Sequence, residues 1–477
     1  MLLKKILASS ILILSFGGVY AQRFSQYQTG TLYESFENPS RAAFIPDSSR
    51  KFAANFFIPN LGGFGDLSGN AQVTLKSRMF TGLYESSALN IGSYNNNYGQ
   101  YNFNTYSFMI RMFGNLKRRQ EIGLSFQTRS EGRARFTDEA VAIFDSYIPF
   151  TETATYANAL NAYGITQSYH QLGLSYRENL SKQLSVGIKL SALMGIYFKE
   201  LNITSSNLEI NRESQRALLS LTGKHYSNFD TLETRDLSPT FRNLGAAVSL
   251  GTSYRFPDGS ILQGNIKDLG FITWNRKSDI YNVSGRRSLD IELKPGLEDS
   301  TYRAFLYLVS RNSIRTSGSI TRMINGRAEL MYSRSFDLPV NDFKYKPTLV
   351  LSKDLAYDGF AGALVNHVQY QNYWLTLTTA LREHNLFDFG AQLMYQSPNV
   401  EFYVGSERLF NGKKFIAAAR ENEKAINSAT RYTGADFFLG FSLKFGHVIE
   451  HPMNANRIPT GEAGFFKRLY GRFFKTR

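Results

Sequence analysis

The stretch QLSVGIKLSA, Gln183 to Ala192, alternates without a break between two chemistries. Leu184, Val186, Ile188, Leu190 and Ala192 fall on one side; Gln183, Ser185, Gly187, Lys189 and Ser191 fall on the other. A period of two puts alternate side chains on opposite faces of a strand. The pattern recurs. Ile122, Leu124 and Phe126 oppose Gly123, Ser125 and Gln127, and Leu172, Leu174 and Tyr176 oppose Gly173, Ser175 and Arg177. Ala246, Val248, Leu250 and Tyr254 oppose Ala247, Ser249, Gly251 and Ser253. Phe389, Ala391, Leu393 and Tyr395 repeat the pattern late in the chain, as do Phe437, Leu439, Phe441, Leu443 and Phe445. Strands with one apolar face and one Gly/Ser/Lys face suit a barrel with lipid outside and a polar interior.

The first residues carry the features of an export signal. Lys4 and Lys5 form a basic start, Ile6 to Phe16 a short apolar core, and Val19-Tyr20-Ala21 a cleavage site, so residues 1–21 are expected to be removed. Gln22 rather than cysteine follows, which argues against a lipoprotein. Beyond Ala21 no stretch reaches the roughly 18 apolar residues of a helical span, so an exported chain enters a membrane as strands or not at all. With no cysteine among 477 residues, disulfides, thiolate metal sites and cysteine nucleophiles are excluded. Closure into a barrel, which removes sheet edges, is the remaining source of stability. Formal charge is +15, or +13 without Lys4 and Lys5. Export argues against nucleic acid as the partner, leaving the lumen and lipid phosphates to receive the excess cations. The 38 phenylalanines and 28 tyrosines against 2 tryptophans match the aromatic girdles of membrane barrels.

Strand-like runs spaced along the chain, with even-numbered closure, predict about fourteen membrane strands, within a range of twelve to sixteen. They include 51–58, 70–76, 183–198, 244–256, 302–311 and 436–446. Tight turns are expected at 179–182, at Pro257-Asp258-Gly259 and at Ser397-Pro398-Asn399, with long connectors at 136–168, 199–243, 282–300 and 407–435. A small helix over the mouth fits within 137–162, and residues 60–65 read as a flexible connector. The expected division is a signal peptide over 1–21, an N-terminal segment over 22–50, a barrel over 51–447 and a basic, aromatic periplasmic tail over 448–477.

The tail contains GFFKRLYGRFFKTR. Lys467, Arg468 and Arg472, interleaved with Phe473 and Phe474, fit docking to an anionic lipid surface or to an envelope partner. A solvated tail is the alternative. Arg129, Arg133 and Arg135 share a strand face with Gln127; they either bias a pore toward anions or pair with acids on neighbouring strands. Asp268-Leu269-Gly270 reads as a bulge, and Trp274 as an interfacial anchor. His170, His225, His367, His384, His447 and His451 form no ligand spacing, so neither metal nor cofactor is expected. Ser168 and His170 superficially suggest a hydrolase pair, but nothing else in the sequence supports an enzyme, and none is expected.

Three segments carry a family resemblance: ENPSRAAFIPDSSRKFAANFFIPN (37–60) with LSGNAQ after it, IKDLGFITWNRKSDIYNVSG (266–285), and DFFLGFSLKFG (436–446). Together they resemble an uncharacterised family of Bacteroidetes outer-membrane proteins known only as a domain of unknown function. More distantly that family resembles FadL-type channels and PorV-like barrels, which also place an Asn-Pro element before the first strand. Asn38-Pro39 should force an extended turn, with Phe44 and Ile45 available to pack inside the lumen as a plug; an ordinary turn into strand one is equally open. The segment departs from the FadL pattern in being short and poor in apolar residues. The expectation is therefore an all-β, antiparallel transmembrane barrel in the outer membrane of a Gram-negative bacterium, in contact with its lipids. Its implied role is a FadL-like conduit for small or hydrophobic solutes or, alternatively, a non-transporting scaffold or partner subunit of an envelope or secretion complex.

Overall fold

The computed structural model describes residues 24–450 apart from 115, 117, 229–233, 286–287, 312, 338–342, 421–422, 429 and 431. The signal-peptide residues 1–21 and the tail residues Lys467, Arg468, Arg472, Phe473 and Phe474 lie outside the described residues.

The strand that decides the sequence reading also settles the solvent of each face. Leu190 is 55% exposed and Leu174 54%, whereas Lys189 is 1% exposed and Ser175 fully buried. The apolar faces point outward and the polar faces inward, the reverse of a soluble sheet. Among the described residues no helix is long and apolar enough to cross a membrane.

Among the described residues twenty strand segments form one antiparallel sheet. β1 (Arg50–Ala54) and β2 (Asn60–Ser68) make the first stave; β3 (Asn96–Phe113) and β4 (Glu121–Thr137) follow. β5 (Ala154–Ala157) is a short outer piece preceding β6 (Ala162–Asn179) and β7 (Leu184–Asn211). β8 (Arg216–Ser227) precedes β9 (Leu244–Arg255) and β10 (Ile261–Val283), and β11 (Leu289–Glu292) is again short. β12 (Ile314–Met323) and β13 (Arg327–Ser333) share one stave against β10. β14 (Phe336–Asp337), β15 (Phe343–Asp354), β16 (Phe360–Tyr370), β17 (Tyr373–Arg382), β18 (Leu386–Gln396), β19 (Val400–Ser406) and β20 (Tyr432–Val448) complete the order. β20 pairs back onto β1 and β2, closing a ring of fourteen staves; β19 stops at Ser406, so above it β18 over 386–390 and β20 over 432–437 have no strand between them. Closed antiparallel strands satisfy every backbone group inside the bilayer, which is why a barrel can stand there.

Tight turns such as 371–372 and 397–399 gather at the end where β1 begins and β20 finishes, which is the periplasmic end by the usual asymmetry of such barrels. At the other end the wall is uneven. β7 runs for 28 residues; at about 3.3 Å per residue it overshoots the apolar band of about 25 Å several-fold. Its upper half pairs with β5 and β8, where an extended connector was expected over 199–243. There Phe150, Leu160, Leu208, Leu219, Val283 and Leu308 form an apolar core above the membrane. The opposite wall, where β15 turns into β16 at 355–359, stays low.

Three local expectations are corrected. Residues 70–76 form no strand but open a helix, Ala71–Thr81, closed by Gly82 at φ 79. Residues 302–311 are likewise helical, from Glu298–Leu306 onward. Short apolar runs do not distinguish strand from helix by period alone. The supposed connector 60–65 is part of strand β2. Within 137–162 the helical part is only Asp138–Ala142, with Thr137 as its cap.

Candidate functional site

The lumen is filled from the periplasmic side by residues 24–49. Leu32–Glu37 is a short helix: Thr31 accepts from Glu34 N, and Glu34 Oε1 and Oε2 accept from the Gln28 and Gly30 amides at 2.6 Å each. A Thr-x-x-Glu spacing is the sequence signature of such a start, and it went unread. Asn38 Oδ1 accepts from Ser40 N at 3.1 Å and Ser40 Oγ at 2.8 Å, making the turn at Asn38-Pro39. The turn sits on glycines of the wall. A Cβ on Gly187 of β7 would lie 2.7 Å from Ser40 N, one on Gly251 of β9 2.5 Å from Asn38 Oδ1, and one on Gly123 of β4 2.8 Å from the Phe36 ring. Gly187 and Gly251 are thus seats for a second piece of backbone.

Polar bonds hold this segment to the ring on every side. Ala43 N donates to Glu121 of β4 at 3.1 Å, and Arg177 Nε of β6 to Ser40 O at 2.7 Å. Tyr106 of β3 donates to Glu37 at 2.6 Å, Asn265 of β10 to Glu37 O at 3.1 Å, and Lys267 pairs with the Glu37 carboxylate. Tyr27 donates to Glu329 of β13, Lys346 of β15 to Gln28 O, and Gln396 of β18 to Thr29 O. Leu32 N donates to Glu401 of β19 at 2.9 Å. Phe44 is buried with Leu32, Phe36, Phe113 and Ile449. Ile45, expected beside it in the lumen, is instead 67% exposed. The chain turns there, Ser49 N bonding Ile45 O at 2.9 Å and Asp47 taking φ 64, and Ile45 is carried out at the mouth.

At the other end of the segment Ser25 N donates to Glu407 Oε1 at 2.8 Å. Glu407 follows β19 and is buried, its backbone N donating to Asp436 of β20 at 2.7 Å.

Above the plug lies a layer of ion pairs built on Asp268. Its carboxylate meets Arg129 of β4 at 2.7 Å, Lys189 of β7 at 3.0 Å, Gln171 of β6 at 2.9 Å and Ser249 of β9 at 3.2 Å. Asp268 takes φ 50 at the predicted bulge, where the β9–β10 register shifts between Ile266 and Leu269. The extra residue reverses the parity of β10: Gln263, Asn265 and Lys267 face inward before it, Ile272 and Trp274 after it. Trp274 is therefore no interfacial anchor but fully buried, stacked on Phe198 at 5.0 Å. Arg133 pairs with Asp354, so two of the three arginines singled out by sequence are matched by acids from across the lumen. Arg135 lines the space above.

That space is a vestibule of about 800 Å³ over the low rim. Its lining holds six cations (Arg133, Arg135, Arg327, Lys353, Arg382 and Arg408) and five acids (Asp66, Glu131, Asp354, Asp358 and Glu383). Most are cross-paired: Arg327 with Asp354 at 3.0 Å, Arg382 with Asp66 at 2.9 Å, and Arg408 with Asp66 at 3.3 Å. Tyr98, Tyr101, Tyr163 and Tyr357 supply rings between them. Elsewhere, His170 engages the Thr128 hydroxyl at 2.9 Å and the Leu237 carbonyl at 2.8 Å, while Ser168 bonds Ser130. Among the described residues no group of three or more His, Asp or Glu is placed to hold a metal ion.

Residues 43–407, well over half of the chain, match the family of unknown function DUF5723. The chain belongs to that family. The match takes in only the end of the plug, residues 43–49, and all staves but the last. No curated protein matches this DUF5723 barrel. Solved structures similar to it include the P. putida toluene transporter TodX, at 8% identity and a TM-score of 0.43, covering 87% of this chain and 95% of that one. A Pseudomonas aeruginosa FadL homologue is similar at 11% identity and a TM-score of 0.43, covering 89% and 97%. Toluene transport is a property of TodX; this DUF5723 chain presents a charged vestibule.

Proposed function

We propose that this protein is an outer-membrane conduit for small polar solutes, gated by its own N-terminal segment. The observation that carries the reading is the vestibule: a charged, tyrosine-lined space of about 800 Å³ at the open end, above the Asp268 layer and a segment that joins the chain of the ring only at β1 and is otherwise held by hydrogen bonds and ion pairs. Such a volume suits a small molecule. Its lining does not suit an apolar one, because an apolar guest would strip water from arginine–carboxylate pairs without replacing its hydrogen bonds. Hydrophobic cargo, one branch of the sequence expectation, is therefore the weaker branch. The second reading, a non-transporting scaffold, draws on the plug being bonded to staves on every side.

The two readings part in vesicles. Purified full-length protein and a variant lacking residues 24–49 are reconstituted, and entry of glycerol, glucose and lactate is followed by swelling. A gated conduit gives slow entry above protein-free vesicles for the full chain and fast entry for the deletion. No entry above background for the full chain, with fast entry for the deletion, overturns the conduit in favour of the scaffold. Equal tightness of both overturns the plug as the barrier.

A further inference from the structure

The connector after β19 reads RLFNGKKFIAAAR over 408–420, with four cations and no acid. Leu409–Ala419 is a helix that packs on β18 and β20, the two strands left unbridged where β19 stops. It lies outside the wall: Phe410 stacks at 5.3 Å on Phe389, which belongs to the apolar outward face of β18. On its other side Phe415 meets Phe80 of the helix Ala71–Thr81 edge to face, at 5.6 Å. The helix is therefore set where the apolar wall gives way to the outer connectors. Leu409, Lys413, Ile416 and Arg420 recur at i, i+4, i+7 and i+11 as one exposed stripe, and Phe410 beside it is 61% exposed. A helix lying at the level of lipid headgroups presents this mixture, its apolar groups entering the acyl boundary while its long basic side chains reach the phosphates.

Beside the stripe stands a second observation, two cations brought together. Lys76, from the helix Ala71–Thr81, is 5% exposed and donates to Ser428 O at 2.8 Å. Lys76 and Lys414 line one small crevice with Asn411, Thr430 and Thr433, and among the described residues no carboxylate lines it. Burial, and then the Lys414 charge, push the Lys76 ammonium below its ordinary value. Two ammoniums held near each other away from water, with no acid between them, are matched by an anion. The crevice offers about 10 Å³, room for about one oxygen atom. An anion thus reaches in by one oxygen and keeps its bulk outside, towards the exposed stripe. A phosphate carried on an acyl-bearing molecule meets these conditions, and at the outer end of an outer-membrane barrel that molecule is the phosphorylated glycolipid of the outer leaflet. We propose that the helix Leu409–Ala419 together with Lys76 is a seat for this glycolipid, its phosphate on Lys76 and Lys414 and its acyl chains along Phe410 and Phe389. Lys413 and Arg420 face the phosphates of neighbouring headgroups. The seat lies outside the lumen and does not depend on what the lumen conducts.

The test offers full-length protein in detergent bisphosphorylated lipid A or the same lipid with its phosphates removed, and counts retained molecules by native mass spectrometry. One lipid A per chain is expected, with retention of the dephosphorylated form at least fivefold lower. Lys76→Gln with Lys414→Gln should lower lipid A retention at least fivefold. Lys413→Glu with Arg420→Glu, both on the exposed stripe and so without effect on assembly, should lower it at least threefold. Because the chain has no cysteine, Ala417→Cys gives a second readout: lipid A should slow its maleimide labelling, and inorganic phosphate should not. Equal retention of the two lipids, undiminished retention in assembled variants, or labelling slowed as much by inorganic phosphate as by lipid A each overturns the seat.

Discussion

Replacing Gly187 by alanine places one methyl group where the plug now touches the wall. The new Cβ would lie 2.7 Å from Ser40 N and closer still to the Pro39 carbonyl. These are backbone atoms and cannot rotate aside, so the turn must retreat by about 1.5 Å to recover ordinary contact at 3.5 Å or more. Arg177 Nε reaches Ser40 O at 2.7 Å, and a retreat of that size carries the pair beyond hydrogen-bonding distance. Overpacking costs about 1–3 kcal/mol, and a hydrogen bond to a charged group about 1.5–3 kcal/mol. Taken together they disfavour the seated plug by about 3 kcal/mol or more, roughly a hundredfold in its ratio to the unseated state at about 1.4 kcal/mol per decade. The chain has no cysteine, so Thr29→Cys, buried in the plug, reports seating cleanly by maleimide labelling at fixed pH. Labelling should quicken strongly in Gly187→Ala, while Gly264→Ala, whose Cβ meets only Thr252 at an ordinary 3.6 Å, should match the parent. Gel migration with and without boiling verifies that the ring has formed. Unchanged labelling in an assembled Gly187→Ala barrel refutes the seat.

On β7, arginine at Val186 or Ile188 meets lipid and should cost about 2–4 kcal/mol near the midplane, read as lost assembly; arginine at Ser185, on the lumen face, should leave insertion intact. Equal loss at both positions would contradict the face assignment. Asp268→Asn leaves Lys189 and Arg129 buried without their shared carboxylate and should destabilise the barrel by about 3–5 kcal/mol, seen as a lower temperature of conversion to the unfolded gel band; no change would remove Asp268 from the framework.

Face assignment and stave number were legible because lipid and a polar interior select opposite chemistries at every second residue. That rule reads a strand only while its parity holds. Trp274 escaped it because the bulge at Asp268 adds one residue and turns the rest of β10 over, a phase change with no mark in the local sequence beyond Asp-Leu-Gly. Asp268 itself was readable as a bend and not as an ionic centre, since Arg129 and Lys189 reach it from staves 139 and 79 positions earlier in the chain. The vestibule was hidden for the same reason: the Asn325 backbone N meets Glu131 only because a distant stave brings it there. The helices Ala71–Thr81 and Glu298–Leu306 were missed for a simpler one, that brief apolar runs carry no decisive period.

The seam of the ring has a bearing on how the molecule is made. β1 follows directly from the plug and is joined by β20, the final stave, with Ile449 bonding back to Ser49 and Asp47 just below. Partners that far apart in sequence meet last, because the intervening chain must first be ordered. The N-terminal segment is bonded to staves all around the circumference, so its set of bonds is complete only when the two ends meet. It serves as a mandrel on which the wall is wound, and a chain lacking it would have to choose its curvature and close its seam with nothing inside to measure against.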